Sequence, residues 1–221
     1  DNDISKLIQQ QLASISRTRF EILTSELVTE LFSNEQGEVV GFKTGTGKEF
    51  NTDMVVICTG VKPNVEFAHD AGIALGETGA IKVNKHMRTN IRNIYACGDC
   101  AEKTLIIDGS KVWIPLGSTA NKEGRIAAIN LSGGDEDFDG VLGSAVVRCL
   151  SLTMSITGYT EKKAKAAGFQ PVSVSVTKND RVGYMPDVNN ITLKLTADKT
   201  TGLLLGGQAV GAGDADKRIN S

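Results

Sequence analysis

Ile4, Leu7, Ile8, Leu12 and Ile15 recur at helical spacing and predict an amphipathic helix over about residues 3–17. Short runs of β-formers follow and predict strands at Phe20–Leu23, Leu27–Phe32 and Val39–Thr44. Asn34–Gly37 and Gly45–Lys48 punctuate them as turns. Met54-Val55-Val56-Ile57-Cys58 is apolar at every position. That pattern suits a strand buried on both faces, ending sharply at Thr59-Gly60 and Pro63. A short helix near Val65–Ala71, strands at Ala80–Val83 and Ile91–Cys97, and a helix over about residues 118–131 complete the first part.

Ser132-Gly133-Gly134 and the acidic stretch to Gly143 read as a boundary. Beyond it, Val146–Ile156 is expected as strand. Thr160 is placed to cap a helix that Gly168 ends. Val172–Thr177, Ile191–Leu195 and Leu203–Val210 read as antiparallel strands, with Gly206-Gly207 and Gly211–Gly213 as bends among them. The fold class expected from the pattern is α/β to about residue 140, followed by a smaller α+β domain. No internal repeat is evident.

Composition changes this picture little. The chain has 221 residues, 40% of them hydrophobic and 23% charged, as in ordinary globular domains. A net charge of −2 gives no basic surplus for a nucleic acid partner. No apolar run approaches the roughly 20 residues that span a bilayer, and no signal peptide opens the chain. Four cysteines make no disulfide framework, so a cytoplasmic location is expected. The chain starts at Asp1 and ends in the charged stretch Asp214–Arg218, which suggests an excised piece of a longer protein.

The chemistry-bearing segment is Thr89-Asn-Ile-Arg-Asn-Ile94-Tyr95-Ala96-Cys97-Gly98-Asp99. A strand that delivers a glycine and an aspartate to its carboxyl end builds the kind of ligand crevice found in open α/β sheets. Gly98 lacks a Cβ, so a pyrophosphate or sugar chain can approach its backbone. Asp99 offers two acceptor oxygens to ribityl hydroxyls. The helix after Gly117 would direct its N-terminal N–H groups at negative charge on a reduced flavin. Asp99 alone is equally a turn former or helix cap.

The spacing Thr-x-x-x-x-Ile-Tyr-Ala-x-Gly-Asp resembles the second FAD-binding motif of the pyridine-nucleotide–disulfide oxidoreductase family. Asp53–Asn64 is similar to the segment where that family's chain returns from its NAD domain to its FAD domain. Trp113–Gly117, followed by Gly124-Arg125 and Ala127-Ala128, resembles the flavin-facing helix start. Ser151–Glu161, Arg181–Pro186 and Asp216-Lys217-Arg218 resemble the dimerisation domain of the NADH oxidase and coenzyme A disulfide reductase branch.

The resemblance implies an incomplete FAD/NAD(P)-binding Rossmann-like portion plus a C-terminal dimerisation domain. Residues 1–60 would be a remnant of the NAD(P)-binding domain, 61–140 the C-terminal part of the FAD-binding domain, and 141–221 a truncated dimerisation domain. Implied cofactors are FAD and NAD(P)H. Implied cofactor-binding residues are Thr59, Gly60, Gly98, Asp99, Leu116 and Gly117. The implied activity passes a hydride from NAD(P)H through FAD to a disulfide, a coenzyme A disulfide or dioxygen, in a homodimer. Tyr184 matches a loop that reaches the partner's substrate site, although this chain has Tyr184-Met185 where two tyrosines are common.

The two GxGxxG elements that such an enzyme needs are missing from the sequence, as is the family's redox cysteine region. The chain alone is therefore expected to bind FAD and NAD weakly, if at all, and to be inactive, with no catalytic residue of its own. Gly45-Thr46-Gly47-Lys48 imitates a phosphate loop but reads as a hairpin turn. Cys97-Gly98-Asp99-Cys100 is read as an incidental CxxC with no metal site. Cys58 and Cys149 are read as small core residues, and His69 and His86 as surface or structural. The alternatives are a non-catalytic dimerisation or binding module, or a fragment of a ferredoxin- or rubredoxin-type reductase.

Overall fold

The computed structural model describes residues 2–15, 21–213, 215 and 219. The chain divides into two compact units, residues 12–62 and residues 1–11 with 63–221. Helix α1 (Asn2–Ile15) starts in the larger unit, where Ile4 and Ile8 line an apolar cavity with Val147, Met154 and Ile156.

The smaller unit is an antiparallel meander of β1 (Val28–Ser33), β2 (Val39–Thr44) and β3 (Glu49–Asn51). Asn34 closes the first turn, its Oδ1 accepting the N–H groups of Gln36 and Glu38. Gly45–Lys48 forms the second, a hairpin turn in which Thr46 and Lys48 bond to Glu26. Phe42 and Phe50 stack across β2 and β3 with ring centroids 5.0 Å apart.

Two expectations fail in this unit. Residues 21–23 are not strand, and Phe20 lies outside the described residues. Met54–Cys58 is not strand either, and Met54 and Val56 are each 75% exposed. A strand that is apolar on both faces needs neighbours in its sheet and a layer over each face. The described residues supply neither, so Cys58 is exposed rather than core.

In the larger unit, α2 (Glu66–Asp70) packs Val65 and Ala68 against Ile73, Ile81 and Ala96. The expected strands at Ala80–Val83 and Ile91–Cys97 are isolated bridges instead, Ile81 to Leu75 and Ala101, and Arg88 to Tyr95. Thr89 explains the second case. Its N–H and its hydroxyl both donate to the Ile94 carbonyl at 3.0 Å, closing a tight loop with Asn93 at φ 66°. Only a few residues are then left to run extended. A two-stranded ribbon, β4 (Lys103–Thr104) with β5 (Lys111–Val112), leads to α3 (Gly117–Leu131).

The C-terminal part is a five-stranded antiparallel sheet in the order β6-β7-β10-β9-β8, from β6 (Ala145–Cys149), β7 (Leu152–Gly158), β8 (Pro171–Asn179), β9 (Asn190–Asp198) and β10 (Leu204–Gly211). The single strand expected at Val146–Ile156 is a hairpin, reversed at Leu150 with φ 55°, and Cys149 on its edge strand is exposed rather than core. Helix α4 (Glu161–Ala166) is capped as expected, Thr160 Oγ1 accepting from Lys163 N at 3.2 Å, and Gly168 follows at φ 89°.

Gly206, Gly207 and Gly211 are not bends; they lie inside β10. A Cβ on Gly206 would collide with the Tyr159 backbone, so the glycine permits close packing there. No described helix is long and apolar enough to cross a membrane.

Candidate functional site

The signature segment divides into residues that shape the loop and residues that remain open to a ligand. Thr89 closes the loop as above. Asn90 fastens it to the chain before it, Oδ1 accepting from Ala74 N at 2.7 Å and Nδ2 donating to Gly72 O at 3.0 Å. Tyr95 ties it to the far end of α3, its hydroxyl donating to Asn130 O at 3.2 Å and accepting from Arg88 Nε at 3.1 Å. Ala96 is buried in the core.

What remains is a 3-10 turn at Gly98–Cys100, packed against α3. Gly98 is required there by its backbone, at φ 79°, more than by crowding, since an added Cβ would meet Ala120 at 3.4 Å. Trp113 Nε1 donates to the Asp99 carbonyl at 2.6 Å. The Asp99 residue is exposed, and its carboxylate has no hydrogen bond or ion pair among the described residues.

Leu116 is the extended cap residue of α3 and has no side-chain capping bond. The first intrahelical bond is Ala120 N to Leu116 O at 2.9 Å, so the N–H groups of Gly117, Ser118 and Thr119 precede the ladder. Their partial positive charge favours an anion at this end. Gly98, Asp99, Leu116 and Gly117 therefore lie on one unit, in a turn and a helix start that pack together. Thr59 and Gly60 belong to the other unit, where both are exposed and Gly60 has φ 110°.

Two residues escaped the sequence reading. Glu123 Oε2 accepts the Gly98 N–H at 2.7 Å, and Lys103 Nζ donates to Gly98 O at 2.8 Å and Ala101 O at 3.0 Å. Burial pushes the Glu123 carboxyl above its ordinary range, against the opposing pull of Lys103 and the Gly98 N–H. Its Oε1 is buried without a partner. A signal existed for Glu123. Thr119, Glu123, Ile126, Ala127 and Asn130 share the buried face of α3 at helical spacing, although a lone glutamate beside Lys122 reads as surface. Lys103 carried no comparable signal.

The CxxC is held in the same turn, with Cys100 Sγ 3.4 Å from Cys97 O. Burial first, and the neighbouring Cys100 second, push the Cys97 thiol above its ordinary range, the reverse of what a reactive thiolate needs. His86 is half-buried beside Asp137 and Asp135, at 3.2 and 3.6 Å, while His69 is exposed near Asp70. Tyr184 is 84% exposed. Asp216-Lys217-Arg218 lie outside the described residues.

This geometry has relatives. A persulfide reductase from A. fulgidus superimposes with a TM-score of 0.89 and 38% identity over 96% of this chain and 39% of that one. The NAD(P)H sulfur oxidoreductase (CoA-dependent) of Pyrococcus furiosus is 37% identical over 96% of this chain and 46% of its own length. The NADH oxidase of Methanocaldococcus jannaschii is 33% identical over 100% of this chain and 48% of its own. The chain thus spans about half the length of the curated relatives it matches. The dimerisation domain of the pyridine nucleotide-disulphide oxidoreductases matches residues 144–221. The pyridine nucleotide-disulphide oxidoreductase family itself matches residues 1–124, more than half of the chain, and the chain belongs to that family.

Proposed function

We infer that this chain supplies one wall of an FAD site, in a homodimeric oxidoreductase that takes a hydride from NAD(P)H and delivers electrons to a sulfur-based acceptor or dioxygen. The observation that carries the reading is the Gly98–Asp99 turn. Its backbone is fixed from within and its carboxylate is left for a ligand.

The residues fit the cofactor as follows. Asp99 would accept hydrogen bonds from ribityl hydroxyls, and the Gly98 backbone would lie along the adjoining chain. Leu116 and Gly117 would approach the flavin ring, with the open N–H groups of α3 favouring the negative charge of its reduced form. Thr59 and Gly60, in the smaller unit, are candidates for the FAD chain by the sequence resemblance alone. Bound FAD supplies the hydride-accepting chemistry. The residues of this chain bind and orient it. The names of the relatives, a sulfur oxidoreductase and an NADH oxidase, support a nicotinamide donor and a sulfur species among the acceptors.

Residues 1–60 are read as part of an NAD(P) domain, 61–140 as part of an FAD domain and 141–221 as the dimerisation domain. Val172, Val174 and Val176 line one exposed side of the edge strand β8, which supports a homodimer. Exposed Tyr184 is available to reach a partner subunit. All four cysteines are free, which supports a reducing, cytoplasmic setting.

With one wall only, the chain by itself is expected to bind FAD weakly and not to turn over. Fluorescence titration with FAD tests this. Weak saturable binding that D99A reduces supports the reading. A tightly bound yellow chromophore in the purified chain, or D99A binding FAD as the parent does, would contradict it.

A further inference from the structure

Two charged side chains are buried behind the Gly98–Asp99 turn. Lys103 and Glu123 are fully buried, their side chains 0% and 1% exposed, and their charged atoms lie 3.6 Å apart. A buried ion pair is a weak source of stability, because removing both charges from water costs about what their attraction returns. At 3.6 Å and with Glu123 Oε1 unpartnered, this pair is not even built for the strongest attraction.

Both charges are instead used on one residue, at the two peptide groups that flank the Gly98 Cα. Glu123 Oε2 takes the Gly98 N–H at 2.7 Å, and Lys103 Nζ holds the Gly98 carbonyl at 2.8 Å. Charged groups make the stronger hydrogen bonds to backbone, so a glycine free to populate many conformations is held in one, at φ 79°. Trp113 adds a third tie, at the Asp99 carbonyl. The two charges come from different elements, β4 and α3, and meet at the residue immediately before the exposed Asp99.

We propose that Glu123 and Lys103 are positioning residues for FAD, gripping the N–H and C=O of Gly98 so that the Asp99 carboxylate is presented in a fixed place to the cofactor's hydroxyls. The proposal rests on reading the Gly98–Asp99 turn as an FAD wall. The pair itself does not touch the cofactor. Its effect on binding comes from removing the conformational freedom that Asp99 would otherwise lose when FAD arrives.

The test separates positioning from a purely structural role. K103M or E123Q alone strands a buried charge and is expected to lower stability sharply. The double variant E123Q/K103M removes both charges at similar volume and keeps an acceptor for the Gly98 N–H. It loses the charged donor to the Gly98 and Ala101 carbonyls, leaving Gly98 O only the Ala101 N–H at 3.1 Å among the described residues. It is expected to fold, and to bind FAD on the order of tenfold more weakly than the parent chain, the effect of about one hydrogen bond.

E123D keeps both charges but draws the carboxylate back by one methylene. It is expected to speed hydrogen exchange at the Gly98 amide on the order of tenfold and to weaken FAD in parallel. Titration of the parent, D99A, E123D and the double variant with FAD decides the matter. If D99A weakens FAD while the folded double variant and E123D bind it like the parent, the positioning role is wrong. If D99A itself leaves FAD binding unchanged, the reading beneath it is wrong.

Discussion

Leu205 in β10 is 1% exposed and Val56 is 75% exposed, although both sit in continuous apolar runs. β10 runs between β7 and β9, and Leu205, at its bulge against β9, is buried together with Ala209 and Val210 farther along the strand. Val56 has no sheet neighbour among the described residues. Composition therefore says which segments need covering, and topology decides whether they are covered. The comparison also bears on function. In the larger unit, Gly98 and the Asp99 carbonyl are tied by hydrogen bonds to Glu123, Lys103 and Trp113. Thr59 and Gly60, at the end of the uncovered run, are exposed and have no such ties among the described residues.

The sharpest break of this contrast is at Gly206. G206V drives a side chain into the Tyr159 backbone at the centre of the sheet, with an expected cost of about 3 kcal/mol or more. Loss of a cooperative denaturant transition for the larger unit would show it. Next comes a matched pair. L205A is expected to cost about 2–5 kcal/mol, whereas V56A should cost within about 0.5 kcal/mol, compared by urea midpoints at equal slope. Equal costs would remove the distinction between the two runs. T160A tests the local chemistry at α4 and should cost about 1 kcal/mol.

The smallest effect is a pH dependence at the turn that joins β9 to β10. The Thr201 hydroxyl, and then the Gln170 N–H, hold the Asp198 carboxyl below its ordinary range. Its stabilising contribution is fully present above the unfolded carboxylate value of about 3.9, and it falls as pH drops through the lowered folded value. D198N should flatten that part of the acid limb in thermal melts between neutral and low pH.

Local chemistry made part of this fold legible. The Thr160 cap, the Asn34 and Gly45–Lys48 turns and the alternation of β8 and β9 each depend on neighbours in sequence. Met54–Cys58 and Ile91–Cys97 misled because strand formation depends on a partner strand that the pattern does not name. The site was half legible. Gly98 and Asp99 stand in a motif, and the Pro115–Gly117 segment marks a helix start. Lys103 and Glu123 are distant in sequence and ordinary in type, and only the packing of α3 on the turn brings them to one glycine.

Asp99 stands at the centre of the FAD wall proposed for this chain. Backbone amide shifts of the 15N-labelled chain, followed during titration with FAD, test it most directly. Saturable changes are expected at Gly98–Ala101 and Leu116–Ala120, and are expected to be lost in D99A. Shifts scattered over the surface, or centred on another part of the sheet and indifferent to D99A, would contradict it.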